Sequence, residues 1–351
     1  YKQLFSYNPN AKESLEAIIA LEEIYVDNLV QPDEYFDFVE KQVGFEISTF
    51  EKDSISFRSG EVSYENGDYE KAINAYSNYL ARYPKGFNRL LAHYRRAESY
   101  LTQKSYEKAL ADYEFVIKQS FSEFYMPSLE KAALISYNLL EDFKKAFDYY
   151  SLYEELWPDK DKQYQARLGA LRSAARINEL DGIQYMADRI LNNPLVTEED
   201  RTLAYYHLAK SSLAKADTVQ ASAQLGLVID GSGNAYTAEA RYLKGQLLFD
   251  QGKYELSEKV ARQSIVDSKA YPYWVAKSLM LLSDLFVQQN DFLQAKAALE
   301  AIIENYMQDE DITAEAESRL EQVLLQEEES NRVEVDSLQS DLKLEKTNKQ
   351  N

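Results

Sequence analysis

The chain has 351 residues, of which 45% are hydrophobic, and carries a formal net charge of −20. That charge would repel a phosphate backbone, which argues against a nucleic-acid partner, and no apolar run approaches the roughly 20 residues that a membrane span needs. There is no cysteine, so disulfides, thiolate metal sites and cysteine nucleophiles are excluded, and the lack of free thiols fits an oxidising compartment.

The chain opens at Tyr1 without a Met. Tyr1, Leu4 and Pro9 share the relative spacing of Tyr76, Tyr79 and Pro84, and of Tyr150, Tyr153 and Pro158. Residues 1–9 therefore read as the end of a truncated helical repeat, and the chain as the C-terminal part of a longer array. Residues 10–52 are expected to hold an atypical helix pair and a linker. Within them, Gln31-Pro32-Asp33-Glu34 reads as a helix start, with proline in the first turn and acids at its positive end. The clearest unit runs from Asp53 to Pro84. Gly60 is small where a first helix must let its partner close, and Gly67-Asp68-Tyr69 marks a turn. Ala72, Tyr76 and Tyr79 lie on one face of a second helix, and Pro84 ends it.

Tyr69 has counterparts at Tyr106, Phe143, Leu180, Thr218, Tyr254 and Phe292, at steps of 37, 37, 37, 38, 36 and 38 residues. These divide residues 53–308 into seven repeats, the units of Leu180 and Thr218 resting partly on register. A generic bundle demands no fixed repeat length, whereas stacked units must offer each other the same shape. Asn192-Asn193-Pro194 stops one helix and Thr197 caps the next. Asp230 to Asn234 is a loop, without the strand and lysine of a phosphate-binding motif. Residues 309–328 read as a capping helix with Leu320, Val323 and Leu324 as its apolar stripe. Residues 329–351, polar and poor in aromatics, read as a disordered tail. Residues 1–53 carry −8, residues 309–336 carry −9 and residues 54–308 only −4, so the ends are acidic, which serves solubility.

A small residue in the first helix, an aromatic at the turn, aromatics in the second helix and a terminal proline together resemble the tetratricopeptide (TPR) repeat, here with a step longer than the usual ~34 residues. The resemblance implies an all-α fold, a TPR-like right-handed α-solenoid of about eight helix pairs with a C-terminal capping helix. Most of the 28 tyrosines would then pack between helices. The Tyr83-Pro84 and Leu156-Trp157-Pro158 endings are similar to those of bacterial cell-envelope TPR proteins, with the tyrosine-rich proteins of Bacteroidetes most similar in composition and repeat length. That similarity implies a periplasmic or outer-membrane-associated setting, with the cytoplasm as the alternative.

The same resemblance places partners on a concave face lined by the first helix of each repeat, at Arg58, Tyr64, Tyr94, Arg95, Glu98, Arg172, Arg176, Tyr206, Lys210, Tyr242 and Phe249. Arg95, Arg172, Arg176 and Lys210 would form a basic stripe. Guanidinium forks match carboxylates and tyrosines give contact area at low entropic cost, so the expected partner is a peptide or helical protein segment with acidic groups. The opposing reading is that these arginines pair with local acids such as Glu61 and Glu98. The Lys/Asn carboxylate clamp of chaperone-binding TPRs is absent. His93 and His207 sit in separate repeats and support neither a zinc site nor a catalytic triad, so no catalytic residue, metal or cofactor is expected. The function expected is a non-catalytic protein–protein interaction scaffold or adaptor in a bacterial cell-envelope assembly. Its alternatives are a glycan or small-substrate module using groove aromatics, with Trp157 and Trp274 as platforms, and a self-assembling solenoid.

Overall fold

A computed structural model describes residues 1–119, 122–306 and 310–348, with only the backbone at 310 and 333–348. Among the described residues every regular element is helical, and the chain forms two compact units, Tyr1–Glu179 and Leu180–Asn351. The first unit opens with a 3-10 turn, Lys2–Tyr7, and a helix α1, Ala11–Glu22, that runs on as a π-helical segment, Glu23–Asn28. Then follow α2 (Pro32–Val39), α3 (Thr49–Glu65), α4 (Tyr69–Arg82), α5 (Arg89–Thr102), α6 (Tyr106–Lys118), α7 (Tyr125–Asn138), α8 (Phe143–Leu156) and α9 (Lys160–Arg176). The second unit holds α10 (Leu180–Leu191), α11 (Glu198–Ala214), α12 (Thr218–Ile229), α13 (Ala235–Asp250), α14 (Tyr254–Asp267), α15 (Pro272–Gln288), α16 (Phe292–Asn305) and α17 (Glu310–Asn348). Within each unit, successive helices from α3 onward pack against each other. Odd-numbered helices from α3 are the first, or A, helices of the repeats; even-numbered ones are the B helices.

Helix ends follow local chemistry. Asn10 and Ser48 form capping boxes with Glu13 and Glu51, and Pro32 takes the first position of α2, where a missing N–H costs nothing. Asp68, Asp142, Asp217 and Asp291 each accept a backbone N–H at the start of a B helix. All seven A-to-B connections pass through a left-handed residue two positions before helix B: Gly67, Lys104, Glu141, Asn178, Ala216, Gly252 and Asn290. This turn lets the next N–H reach back to satisfy an open carbonyl, as when Asp68 donates to Ser63 and Asp291 to Phe286. It places Leu180 and Thr218 in the same register as the aromatic positions.

Four tyrosines of the B helices, Tyr76, Tyr79, Tyr113 and Tyr153, are core residues. Tyr76 and Tyr113 are fully buried; Tyr76 donates to Glu61 of its A helix. Its ring lies so close to Gly60 that a Cβ there would come within 2.5 Å of it, which is why the first helix needs a glycine. Between α5 and α6, Asp112 accepts both forks of Arg96, each at 2.8 Å, and lies 2.6 Å from His93 Nδ1. A buried carboxylate needs such a shell to stay charged.

Six of the seven A-to-B connections span three residues, whereas the α7–α8 connection spans four, residues 139–142. Helix α7 has the length of α5 but sits one residue earlier in the repeat register. One residue is about 100° of helix rotation, so Ala133 takes the buried place and Leu134 turns out, at 40% exposure. Its register equivalents Ala97, Leu171, Ala209 and Ser283 are all buried. The last helix also exceeds the expected 309–328. It has no glycine or proline to stop it and runs on to Asn348, packing on α16 and α15; residues 309 and 349–351 lie outside the described residues.

Candidate partner-binding face

Side chains on the A helices fall into two electrostatic states. In the first unit, Arg58 bridges back to Glu22 at 2.7 Å and Asp27 at 3.2 Å. Arg95 lies 3.0 Å from Glu98 and stands over the Tyr64 ring, and Tyr64 donates to the same Glu98 at 2.9 Å. Tyr94 packs against Tyr113 and Phe124, and burial pushes its hydroxyl up to about 12. So Tyr64, Tyr94, Arg95 and Glu98 form one self-paired cluster, and Arg58 is paired apart from it.

Arg172 and Arg176 are different. Both are exposed, and among the described residues neither has an ion-pair partner. Arg176 stands over the Phe143 ring at 4.9 Å. Arg172 ends a slot of about 360 Å³ between α7 and α9. Leu134, Tyr137 and Asn138 line its α7 side, and Ala166, Gly169 and Arg172 its α9 side. Tyr150 and Tyr153 enter from α8, which packs on both helices. The Tyr150 ring would lie 2.7 Å from a Cβ at Gly169, so the glycine admits it into the slot. Burial pushes the Tyr150 hydroxyl up to about 12, with Tyr137 adding and Arg172 opposing. The Tyr153 hydroxyl, on a residue 4% exposed, is pushed up by burial and by the nearby Glu130 carboxylate. At the other end Lys162 lies 3.4 Å from Glu130 and over the Trp157 ring.

In the second unit, Lys210 pairs with Glu239 at 2.9 Å beside the buried Tyr206. Tyr242 leans on Trp274 with ring centroids 5.7 Å apart. Phe249 lines a cleft of about 560 Å³ shared with α15 and α17. There Arg319 pairs with Asp284 at 2.7 Å and Glu315 at 3.1 Å, and Lys277 takes both Glu315 oxygens at 3.0 Å. Burial nonetheless raises the Asp284 carboxyl. Trp157, for its part, is stacked on Tyr153 at 5.0 Å, so both tryptophans are already engaged by rings of this chain.

The structure thus groups Tyr64, Tyr94, Arg95 and Glu98 in one cluster, pairs Arg58 separately with Glu22 and Asp27, sets Arg172 and Arg176 on one side of α9, and puts Phe249 in a separate cleft. Sequence reasoning missed Leu134, Tyr137 and Asn138. Their signal was Leu134 itself, a large residue at a register position that is small at Gly60, Ala97, Ala209, Gly245 and Ser283, with Leu171 the other large one.

Stacked helical hairpins joined by left-handed turns define an α-solenoid repeat protein. Residues 57–120 and 238–265 each match the family described as tetratricopeptide repeat, and the other hairpins from α3 onward repeat the same helix–turn–helix architecture. No curated protein matches the chain. Similar solved structures include the C-terminal part of a TPR repeat-containing protein from Cytophaga hutchinsonii (16% identity over 73% of this chain and 97% of that one, TM-score 0.49). Others are a tetratricopeptide repeat protein from Parabacteroides merdae (13%, 75% and 98%, 0.37) and the apo quorum sensor NprR from B. thuringiensis (14%, 92% and 97%, 0.44). Among the described residues, no group of three or more His, Asp or Glu is placed to hold a metal ion, and no helix is long and apolar enough to cross a membrane.

Proposed function

We propose that the chain is a non-catalytic scaffold that holds an acidic segment of a partner protein against its A helices. The observation that carries this is the pair Arg172 and Arg176. In a protein of net charge −20, two exposed guanidiniums stand one helical turn apart without a counter-ion among the described residues. A planar fork left open suits a carboxylate held by two hydrogen bonds. The setting we propose is a bacterial cell envelope, periplasmic or at the outer membrane, supported by the Tyr-Pro and Trp-Pro repeat endings and the lack of cysteine.

Photo-crosslinking tests the reading. A benzophenone amino acid replaces Leu134, beside the slot, or Asp148, on the exposed side of α8. Each variant is exposed to extract of the source organism, and any crosslinked protein is identified. The expected result is a protein captured from position 134, not from 148, and lost with Arg172→Glu and Arg176→Glu. Capture from 148 alone would place binding on the B helices and overturn the reading. Fractionation of the cells, followed by protease treatment of intact spheroplasts, locates the native chain; resistance to external protease would remove the envelope setting.

A further inference from the structure

The geometry points to the α7–α9 slot as the anchor for a short extended peptide that combines an apolar side chain with a carboxylate one to three residues away. This rests on the scaffold reading above and names what the site selects. From Lys162 to Arg172 the slot follows α9 for ten residues, about 15 Å at the helical rise. An extended chain rises about 3.3 Å per residue, so four to five residues fill that length. The two ends are not equivalent. Lys162 is occupied by Glu130, and Arg172 is open. A ligand carboxylate therefore belongs at the Arg172 end.

The middle of the slot is apolar. Leu134 is exposed there only because α7 sits one residue early in the repeat. The Tyr150 ring, packed over Gly169, lines the same space. An aromatic or branched aliphatic side chain fits between them. Tyr153 lines the slot from α8, with its hydroxyl buried near the Glu130 carboxylate. The lining comes from three helices, α7, α8 and α9, and together they select apolar plus acidic.

The probe is a set of fluorescein-labelled pentapeptides, N-acetylated and C-amidated, with Phe and Glu adjacent or separated by one or two glycines. Each has a counterpart with Gln in place of Glu. Binding to the whole chain is read by fluorescence anisotropy at low and high salt. The expected result is that at least one Glu peptide binds about tenfold more tightly than its Gln counterpart, the size of one charge-assisted contact. Salt should weaken only the Glu peptide. Arg172→Gln should abolish the Glu preference, and Leu134→Gln should weaken both peptides while keeping it. Both residues are exposed, and circular dichroism should be unchanged.

Equal binding of Glu and Gln peptides, or a Glu preference that survives Arg172→Gln, overturns the anchor. If position 134 still captures a protein in the crosslinking experiment, the scaffold reading stands and only this selectivity falls. If nothing is captured and no peptide binds, both fall.

Discussion

The α7–α9 slot and the α13–α15–α17 cleft are made from the same part, the sides of A helices, yet they end in opposite states. The cleft is neutralised from within: Arg319 sits between Asp284 and Glu315, and Lys277 completes Glu315. In the slot one cation is answered, Lys162 by Glu130, and Arg172 has no counter-ion among the described residues. The difference lies in what stands about one repeat away. Arg319 finds Asp284 thirty-five residues back, and Lys210 finds Glu239 twenty-nine residues on. Behind Arg172, α7 offers Leu134, Tyr137 and Asn138. In a solenoid, a charged residue becomes a site when its neighbouring repeat withholds the counter-charge.

The largest way to test that contrast is to remove each arginine. Arg319→Leu strips Asp284 of its paired cation and leaves Glu315 with Lys277 alone. We expect a loss of about 2 kcal/mol, less than the roughly 3–5 kcal/mol of a fully buried pair because water still screens part of it; Arg319 is 31% exposed. Arg172→Leu should change stability by no more than about 0.5 kcal/mol, as at an ordinary surface position. Urea unfolding separates the two, since Trp157 reports on the first unit and Trp274 on the second, the only two tryptophans in the chain. Equal losses would mean that Arg172 is structurally paired after all.

A smaller effect separates the slot from the core of the same unit. At both Gly60 and Gly169 a Cβ would meet a tyrosine ring, at 2.5 and 2.7 Å. Tyr76 is fully buried and tied to Glu61, so it has nowhere to go. Tyr150 borders the slot and can swing into it. Gly60→Ala should therefore cost about 2–3 kcal/mol, the upper range for overpacking, and Gly169→Ala about 1 kcal/mol. Peptide binding should fall with Gly169→Ala, because the displaced ring occupies the ligand's space. A Gly169→Ala variant as unstable as Gly60→Ala would show that the slot gives the ring no room.

How far each region could be read beforehand follows from the same geometry. The hairpin register was legible because turn aromatics from Tyr69 to Phe292, and buried small residues such as Ala72, Ala109, Ala146 and Ala295, recur under one steric demand. The left-handed turns were legible only at Gly67 and Gly252; at Lys104, Glu141 and Ala216 the backbone adopts the same conformation without the residue that announces it. The displacement of α7 was hidden for a different reason. The extra residue of the α7–α8 connection is offset by an earlier start of the helix, so the 37-residue step to Phe143 is preserved while the exposed face changes. Helix-position counting could nominate Arg95 and Arg172 together, but it could not tell that one faces Glu98 and the other faces none.

The finest contrast is in pH dependence, because two buried aspartates answer burial differently. Burial alone would raise Asp112, but the hydrogen bonds from His93 and Arg96 outweigh it and hold the carboxyl below the ordinary range. Asp284 stays raised: burial leads, Glu315 adds, and Arg319 and Lys277 pull the other way without prevailing. A depressed carboxyl stabilises the fold above the unfolded aspartate pKa of about 3.9, and that stability is lost as pH falls through the folded value. A raised carboxyl acts in reverse. Its contribution is present below about 3.9 and is lost as pH rises through the folded value. Glu315 in the same cleft is lowered, so the wild-type curve of the second unit mixes both signs, and the difference between wild type and Asp284→Asn isolates one. Between the ordinary aspartate value and the raised one, that difference should decline with increasing pH when followed by Trp274. The difference between wild type and Asp112→Asn, followed by Trp157, should climb as pH increases toward about 4 and then level off. If both differences run the same way, the Arg319 pairing is strong enough to overcome burial, and the cleft is as well satisfied as the α5–α6 clasp.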